Sequence, residues 1–160
     1  MSRRVQTLLF TDIVGSTQAI VDLGDERWRE VLFEFRTLVR HALTTHRGRE
    51  MNTAGDAVFA VFHRPADGIA CAMAIRDAVP GIGLHVRTGV HHAEVDTRGE
   101  QVTGLAVHAA ARVMALAGAD QIFVSQAVAD AVRESVPLRD AGRHELRGVP
   151  GEWQLYEISG

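Results

Sequence analysis

Two aspartates occupy the positions in this sequence best suited to chemistry. Asp12 stands where a short apolar run of strand formers, residues 5–13, gives way to Gly15 and to Ser16 and Thr17, which can cap a following helix. Asp56 stands at the tip of a hairpin, in Ala54-Gly55-Asp56, between two strand-like runs at residues 49–53 and 57–62. Alone, each aspartate is an ordinary turn former. Side by side, the carboxylates would repel, or one would take up a proton, unless a cation lay between them. Oxygen ligands of this kind suit Mg²⁺ or Mn²⁺, which are commonly held by one or two carboxylates together with substrate phosphates. The free N–H groups of a helix start beside them would favour an anion. Together these features point to a metal-bound anion.

Other polar residues read less sharply. His108 and Arg112 lie four apart, hence on one face of an Ala-rich helix over residues 106–116, and that stripe can face a ligand or water. Arg147 precedes a Gly-containing turn and has the same two readings. His91 and His92 are neighbours on a strand, so they point to opposite faces and cannot share a metal. Cys71, within ACAMAI on a packed helix, reads as a core residue. Zinc-ligand spacing, a Walker A loop and a Gly-x-Ser-x-Gly elbow are all missing from the sequence.

The elements that must position these residues follow from periodicity and punctuation. A helix starting at Ser16 or Thr17 continues through Ile20, Leu23 and Trp28 into residues 31–43, is bent or divided at Gly24, and stops at Gly48. A second helix spans residues 66–79, and a strand spans 84–95, with a turn over 96–99. Beyond the Ala-rich helix lie a buried strand at 121–124, a short helix at 126–132 and two strands near 143–146 and 153–158. The order strand–helix–strand–strand–helix–strand over the first 95 residues predicts an α+β fold. Its core is a ferredoxin-like split βαβ unit with a C-terminal extension, in an antiparallel-rich sheet with helices on one face. In such a sheet the first and third strands are central neighbours, which brings Asp12 toward the hairpin tip.

Composition bounds the setting. The chain has 160 residues, the size of one domain over 1–160, and 46% hydrophobic with 23% charged residues is ordinary for a globular protein. Lys+Arg 17 against Asp+Glu 20 gives a net charge of −3, which argues against a nucleic-acid partner. The single Cys71 cannot form an internal disulfide, and no apolar stretch is long enough for a membrane span, so a cytoplasmic location without membrane is expected.

Five segments go further. Phe10-Thr11-Asp12-Ile13-Val14-Gly15-Ser16-Thr17, residues 53–62 (TAGDAVFAVF), 86–91 (VRTGVH), 104–112 (GLAVHAAAR) and 144–151 (HELRGVPG) resemble, in order, the class III adenylyl/guanylyl cyclase catalytic domain, especially its bacterial and actinobacterial members. The resemblance runs from about residue 5 to 158. It implies conversion of ATP to 3′,5′-cyclic AMP and pyrophosphate with two divalent cations, Mg²⁺ or Mn²⁺. It assigns the cations to Asp12, Asp56 and the backbone of Ile13, and the triphosphate to Val14, Gly15, Ser16, Thr17 and Arg147. Arg112 would stabilise the transition state, and His108 would position the ribose. It also implies a homodimer whose two sites are shared between chains.

Three positions depart from the familiar pattern. Asn52 and Gln101 stand where a Lys and an Asp read adenine, and His108 replaces an Asn. Lys is donor-only and ionised Asp acceptor-only, whereas each amide carries both functions and can flip. A flippable pair leaves few buried groups unpaired with the wrong base, so relaxed purine selection is expected, with ATP favoured and GTP tolerated. The alternative is a weak or degenerate cyclase domain acting as a nucleotide-binding, dimerising regulatory module.

Overall fold

Alternation along the first strand sets the architecture. In β1 (Ser2–Ile13) both Leu8 and Leu9 are fully buried, so each face of this strand meets a core. The computed structural model describes residues 2–54 and 56–160, apart from the side chains of 52–54. After β1 come α1 (Ser16–Leu23), α2 (Asp25–Thr45), β2 (Arg49–Ala54), β3 (Ala57–Phe62) and α3 (Pro65–Ala78). A 3₁₀ turn, Val79–Ile82, leads into β4 (Val86–Arg98), β5 (Gln101–Thr103) and α4 (Leu105–Ala115). The chain ends with β6 (Ile122–Ser125), α5 (Gln126–Val132), β7 (Leu138–Glu145) and β8 (Glu152–Ile158).

One sheet results, in the order β2-β3-β1-β4-β6-β8-β7, with β5 paired to the far end of β4. Its pairings are antiparallel except β4 with β6. The fold is therefore α+β with a mostly antiparallel sheet, and β2-β3-β1-β4 is the expected split βαβ order. Among the described residues no helix is long and apolar enough to cross a membrane.

Helix α2 shows how sequence becomes packing. Trp28, Val31, Phe35, Val39, Ala42 and Leu43 recur at helical spacing and are all buried, while the opposite side carries Arg and Glu. A fully buried side chain such as Phe35 contributes roughly 1.5–3 kcal/mol. With α3 and α5, this helix covers the sheet face bearing Leu9, Ala60, Phe62, Val86 and Val90.

The expectation of helices on one face is wrong, because α4 lies on the other. Its Ala110 packs with Leu8, Phe59, Val61 and Val95, and its Ala109 and Val113 with Leu146 and Leu155. The reason is Gly89. A Cβ there would lie 2.3 Å from the backbone nitrogen of Met114 and 2.7 Å from its Cα. Helix backbone rests directly on strand backbone at this point, which only glycine in the strand and small residues in the helix permit.

Four local expectations also shift. Strand β1 starts at Ser2 and β4 runs on to Arg98, so the turn expected at 96–99 is confined to Gly99 and Glu100, and β5 follows it. Polar residues make this extension: Ser2 Oγ and Thr97 Oγ1 are 2.7 Å apart, and Arg3 pairs with Asp96 at 3.4 Å on the other face. Strand β7 starts at Leu138 because a bulge, with Gly142 N–H donating to Asp140 Oδ1 at 2.7 Å, absorbs a turn-like Asp-Ala-Gly. Finally, α1 is capped by Gly15 at φ 72°, not by a side chain, so Ser16 and Thr17 are already helical.

Replacing Gly89 by Ala is expected to cost about 3 kcal/mol through overpacking, read as a lower urea midpoint with an unchanged slope. A loss below about 0.5 kcal/mol would contradict the backbone contact. His91 supplies a pH test. Burial first, and then His92, lower its pKa from 6.5 to about 4, and its Nδ1 lies 2.7 Å from Ser125 Oγ. A depressed histidine contributes stability that is present above pH 6.5 and is lost as pH falls toward 4, here about 3 kcal/mol. The acid loss of unfolding free energy in that window should shrink in His91→Asn; identical slopes would contradict the assignment.

Candidate active site

The register of β1 delivers Asp12 to the face that carries α4, directly opposite Arg87 of β4. The two side chains form a forked pair: Arg87 Nε donates to Asp12 Oδ1 at 2.8 Å and Nη2 donates to Oδ2 at 3.1 Å. Nη1 donates to the carbonyl of Ala115, the last residue of α4, at 3.3 Å. Thr11 fixes the strand ends beneath them, its hydroxyl donating to the Arg87 carbonyl at 2.9 Å.

Asp56 joins this cluster from the hairpin side. Because β1 lies between β3 and β4, with Thr11 opposite Val58, the end of β1 runs beside the β2–β3 tip. Asp12, Asp56, Arg87 and residues 13–17 line one cavity of about 430 Å³. The hydrogen bonds that Arg87 donates to Asp12 raise its pKa, against a smaller effect of burial, and the charges of Asp12 and Asp56 raise it further. One guanidinium thus faces two carboxylates, leaving a net negative, oxygen-rich cavity. That donor set fits a hard divalent cation. Among the described residues, no group of three or more His, Cys, Asp or Glu forms a protein-only metal cage.

The adjoining turn presents N–H groups to the same cavity. Val14 is an exception, since its N–H donates to the His85 carbonyl at 2.9 Å. The first helical backbone bond runs from Ala19 to Gly15, so the N–H groups of Ser16 and Thr17 are left free by the helix itself. Ile13 buries its side chain in the core and offers only its backbone.

The remaining candidates lie elsewhere. His108 is exposed and Arg112 half-buried on α4, and neither borders the Asp12–Asp56 cavity. Arg112 has no hydrogen bond or ion pair among the described residues. The His108 ring lies under the β7–β8 turn, with Nε2 3.3 Å from where a Gly148 Cβ would be, so Arg147 sits beside it. Gln101, in β5, lines a separate cavity of about 750 Å³ with Phe10, Phe59 and Val107. Phe10 and Phe59 stack on each other there at 4.4 Å with parallel rings, so together they form one flat apolar wall of the cavity. The backbone of Asn52 pairs with Phe59, while its side chain and Gly55 of the hairpin turn lie outside the described residues.

The functional reading of the sequence missed Arg87 and the Phe10–Phe59 wall. Arg87 was legible only as a charge on a strand. Its partner emerges from the β1–β4 register, which periodicity alone does not give.

A fold of this order with paired acids beside a capped turn marks a class of nucleotide enzymes, and comparison with known proteins agrees. Residues 2–160 match the family described as "Adenylate and Guanylate cyclase catalytic domain". An uncharacterized protein of Mycobacterium tuberculosis is 34% identical over 157 residues, covering 93% of this chain and 54% of its own length. The chain thus spans about half the length of that relative. The adenylyl cyclase CyaB from P. aeruginosa superposes with TM-score 0.90 at 19% identity, covering 99% of this chain and 95% of that one. A non-canonical dimeric guanylyl cyclase domain of a RhoGC fusion protein from Blastocladiella emersonii superposes with TM-score 0.89 at 16% identity, over 100% and 99% of the two chains. This chain belongs to the class III adenylate/guanylate cyclase catalytic domain family.

Proposed function

We propose that residues 1–160 form one catalytic domain that converts ATP to 3′,5′-cyclic AMP and pyrophosphate in sites shared by two copies of the chain. The observation that carries this reading is the division of candidates. Asp12, Asp56 and the turn at Gly15–Thr17 share one cavity, whereas Arg112 stands outside it, its side chain without a partner among the described residues. A second copy related by a two-fold axis can supply that guanidinium, and symmetry then makes two equivalent sites. One of the similar folds above is dimeric.

In the reaction the ribose 3′-oxygen bonds to the α-phosphorus as the bond to the bridging oxygen of the β-phosphate breaks. The hydroxyl proton leaves to solvent, and pyrophosphate departs with the bond electrons. Asp12, Asp56 and the Ile13 carbonyl are the residues that would hold two Mg²⁺ or Mn²⁺ ions, which lower the pKa of a bound hydroxyl and offset phosphate charge. The N–H groups of Gly15, Ser16 and Thr17 hold the triphosphate at the start of α1, and Arg147 adds charge. Arg112 neutralises charge that develops on the phosphoryl oxygens, a contribution of about 3–4 kcal/mol in a dry cleft. His108 donates an N–H to the ribose.

Purine selection rests on the Gln101 cavity. Phe10 and Phe59 offer an apolar wall, and Gln101 offers both a donor and an acceptor at its edge. With Asn52 as the second reader, the base is held more by stacking than by a fixed hydrogen-bond code. The two similar folds named above are an adenylyl and a guanylyl cyclase, so the architecture serves either purine.

Incubation with ATP or GTP and Mn²⁺ should yield cyclic nucleotide and pyrophosphate by chromatography, with GTP no more than about a hundredfold favoured and no product in EDTA. Hydrolysis to linear phosphates alone, or no turnover with nucleotide still bound, would replace this reading by the regulatory-module one. Shared sites make a further prediction. Asp56→Ala and Arg112→Ala should each lose about two to three powers of ten in rate. Mixed one to one, they should recover about a quarter of the wild-type rate, since half the pairs are heterodimers with one intact site. Proven subunit exchange without recovery would exclude sharing.

A further inference from the structure

The face of β1 that carries Asp12 at one end carries a second concave site at the other. Ser2, Arg4 and Gln6 share that face with Leu8 and Asp12, because side chains alternate with period two. Strand pairing brings matching positions alongside: Thr97 opposite Ser2 on β4, and Arg49 opposite Val61 on β2. His63, just past the end of β3, and Arg98, the last residue of β4, complete the rim. These residues line a cavity of about 590 Å³, within the range of small-molecule sites. Along the strand it lies about 27 Å from Asp12, eight residues from Arg4 at roughly 3.4 Å each.

The chemistry of this cavity is one-sided. Arg4, Arg49 and Arg98 bring three positive charges, and among the described residues no carboxylate lines it. None of the three side chains has a hydrogen bond or ion pair among the described residues. The nearby acids are engaged elsewhere: Asp96 with Arg3 on the opposite face, and Glu50 with Arg40. Gln6 adds an independent sign. Its residue is only 4% exposed, it has no side-chain hydrogen bond among the described residues, and it borders the cavity. Its amide is not among the buried unpartnered atoms, so it opens onto the cavity, where a ligand can take it up. Three unpaired guanidiniums beside it call for an acceptor-rich anion.

We infer that this cavity is a binding site for a compact polyphosphate group, inorganic or carried on a small organic molecule, separate from the Asp12–Asp56 centre. Guanidinium forks match phosphate oxygens, and several negative charges in one small ligand answer three arginines at once. The concave shape and the net charge of −3 favour a small ligand over a nucleic-acid backbone. The inference does not depend on the cyclase reading, since none of its residues belongs to that site.

The test is calorimetric titration of the whole chain in EDTA, which prevents metal-dependent turnover, with inorganic tripolyphosphate and in parallel with ATP. One saturable equivalent is expected, weakening with salt. The Arg4→Ala/Arg98→Ala variant should bind tripolyphosphate about tenfold or more weakly, and Arg27→Ala, an exposed arginine of α2 outside both sites, should bind as wild type. Arg49→Glu, an exposed charge reversal, should act in the same direction if the double variant folds poorly by circular dichroism. Equal affinity for both probes means that the phosphates alone are read, and tighter ATP means that the organic part is also held; either result supports the site. Absence of saturable binding, or binding insensitive to all three arginine changes, overturns it.

Discussion

The long antiparallel ladder between β1 and β4, from Ser2 opposite Thr97 to Ile13 opposite Val86, is the constraint on which every functional feature depends. Its period-two alternation assigns each residue to a face, and a slip by one residue would invert them all. In this register Leu9 and Val90 face α2, α3 and α5, whereas Leu8 and Gly89 face α4. Asp12 and Arg87 then emerge together at one end, and Arg4 and Gln6 at the other. Two polar sites are thus separated, on this face of the strand, by the apolar Leu8 and Phe10.

Arg87 offsets part of the negative charge in the acidic cavity. Asp12 and Asp56 would repel in a half-buried space, and Arg87 offsets this by hydrogen bonding to one and attracting the other. The same guanidinium ties the carboxylate to the last turn of α4 through the Ala115 carbonyl. Chemistry at β1 and the position of the helix bearing Arg112 are therefore joined by one side chain. Arg112 is the complement: its side chain has no hydrogen bond or ion pair among the described residues.

Much of this was legible in the residues. The α2 stripe, the hairpin around Asp56 and the apolar run before Asp12 announced themselves through spacing and turn chemistry, and the order of the first four strands followed from element order. The meeting of Asp12 with the hairpin tip needed only that order. What escaped was set by tertiary context. Ser2–Arg4 and Asp96–Arg98 look too polar for strands, yet cross-strand pairs such as Arg3–Asp96 and Ser2–Thr97 carry the ladder through them. The side of the sheet chosen by α4 was hidden because a lone glycine in a strand gives no direction. Once the helix is seen resting on it, Gly89 explains the choice.

That backbone-on-backbone contact has an evolutionary corollary. The height of α4 above the sheet is fixed by main-chain atoms at Gly89, Ala110 and Met114, not by bulky anchors. Residues on the outer stripe of the helix, His108 and Arg112 among them, can therefore be exchanged without shifting the rod that carries them. A scaffold built this way uncouples inheritance of shape from inheritance of selectivity, so new ligand preferences can be sampled by single substitutions while foldability is preserved.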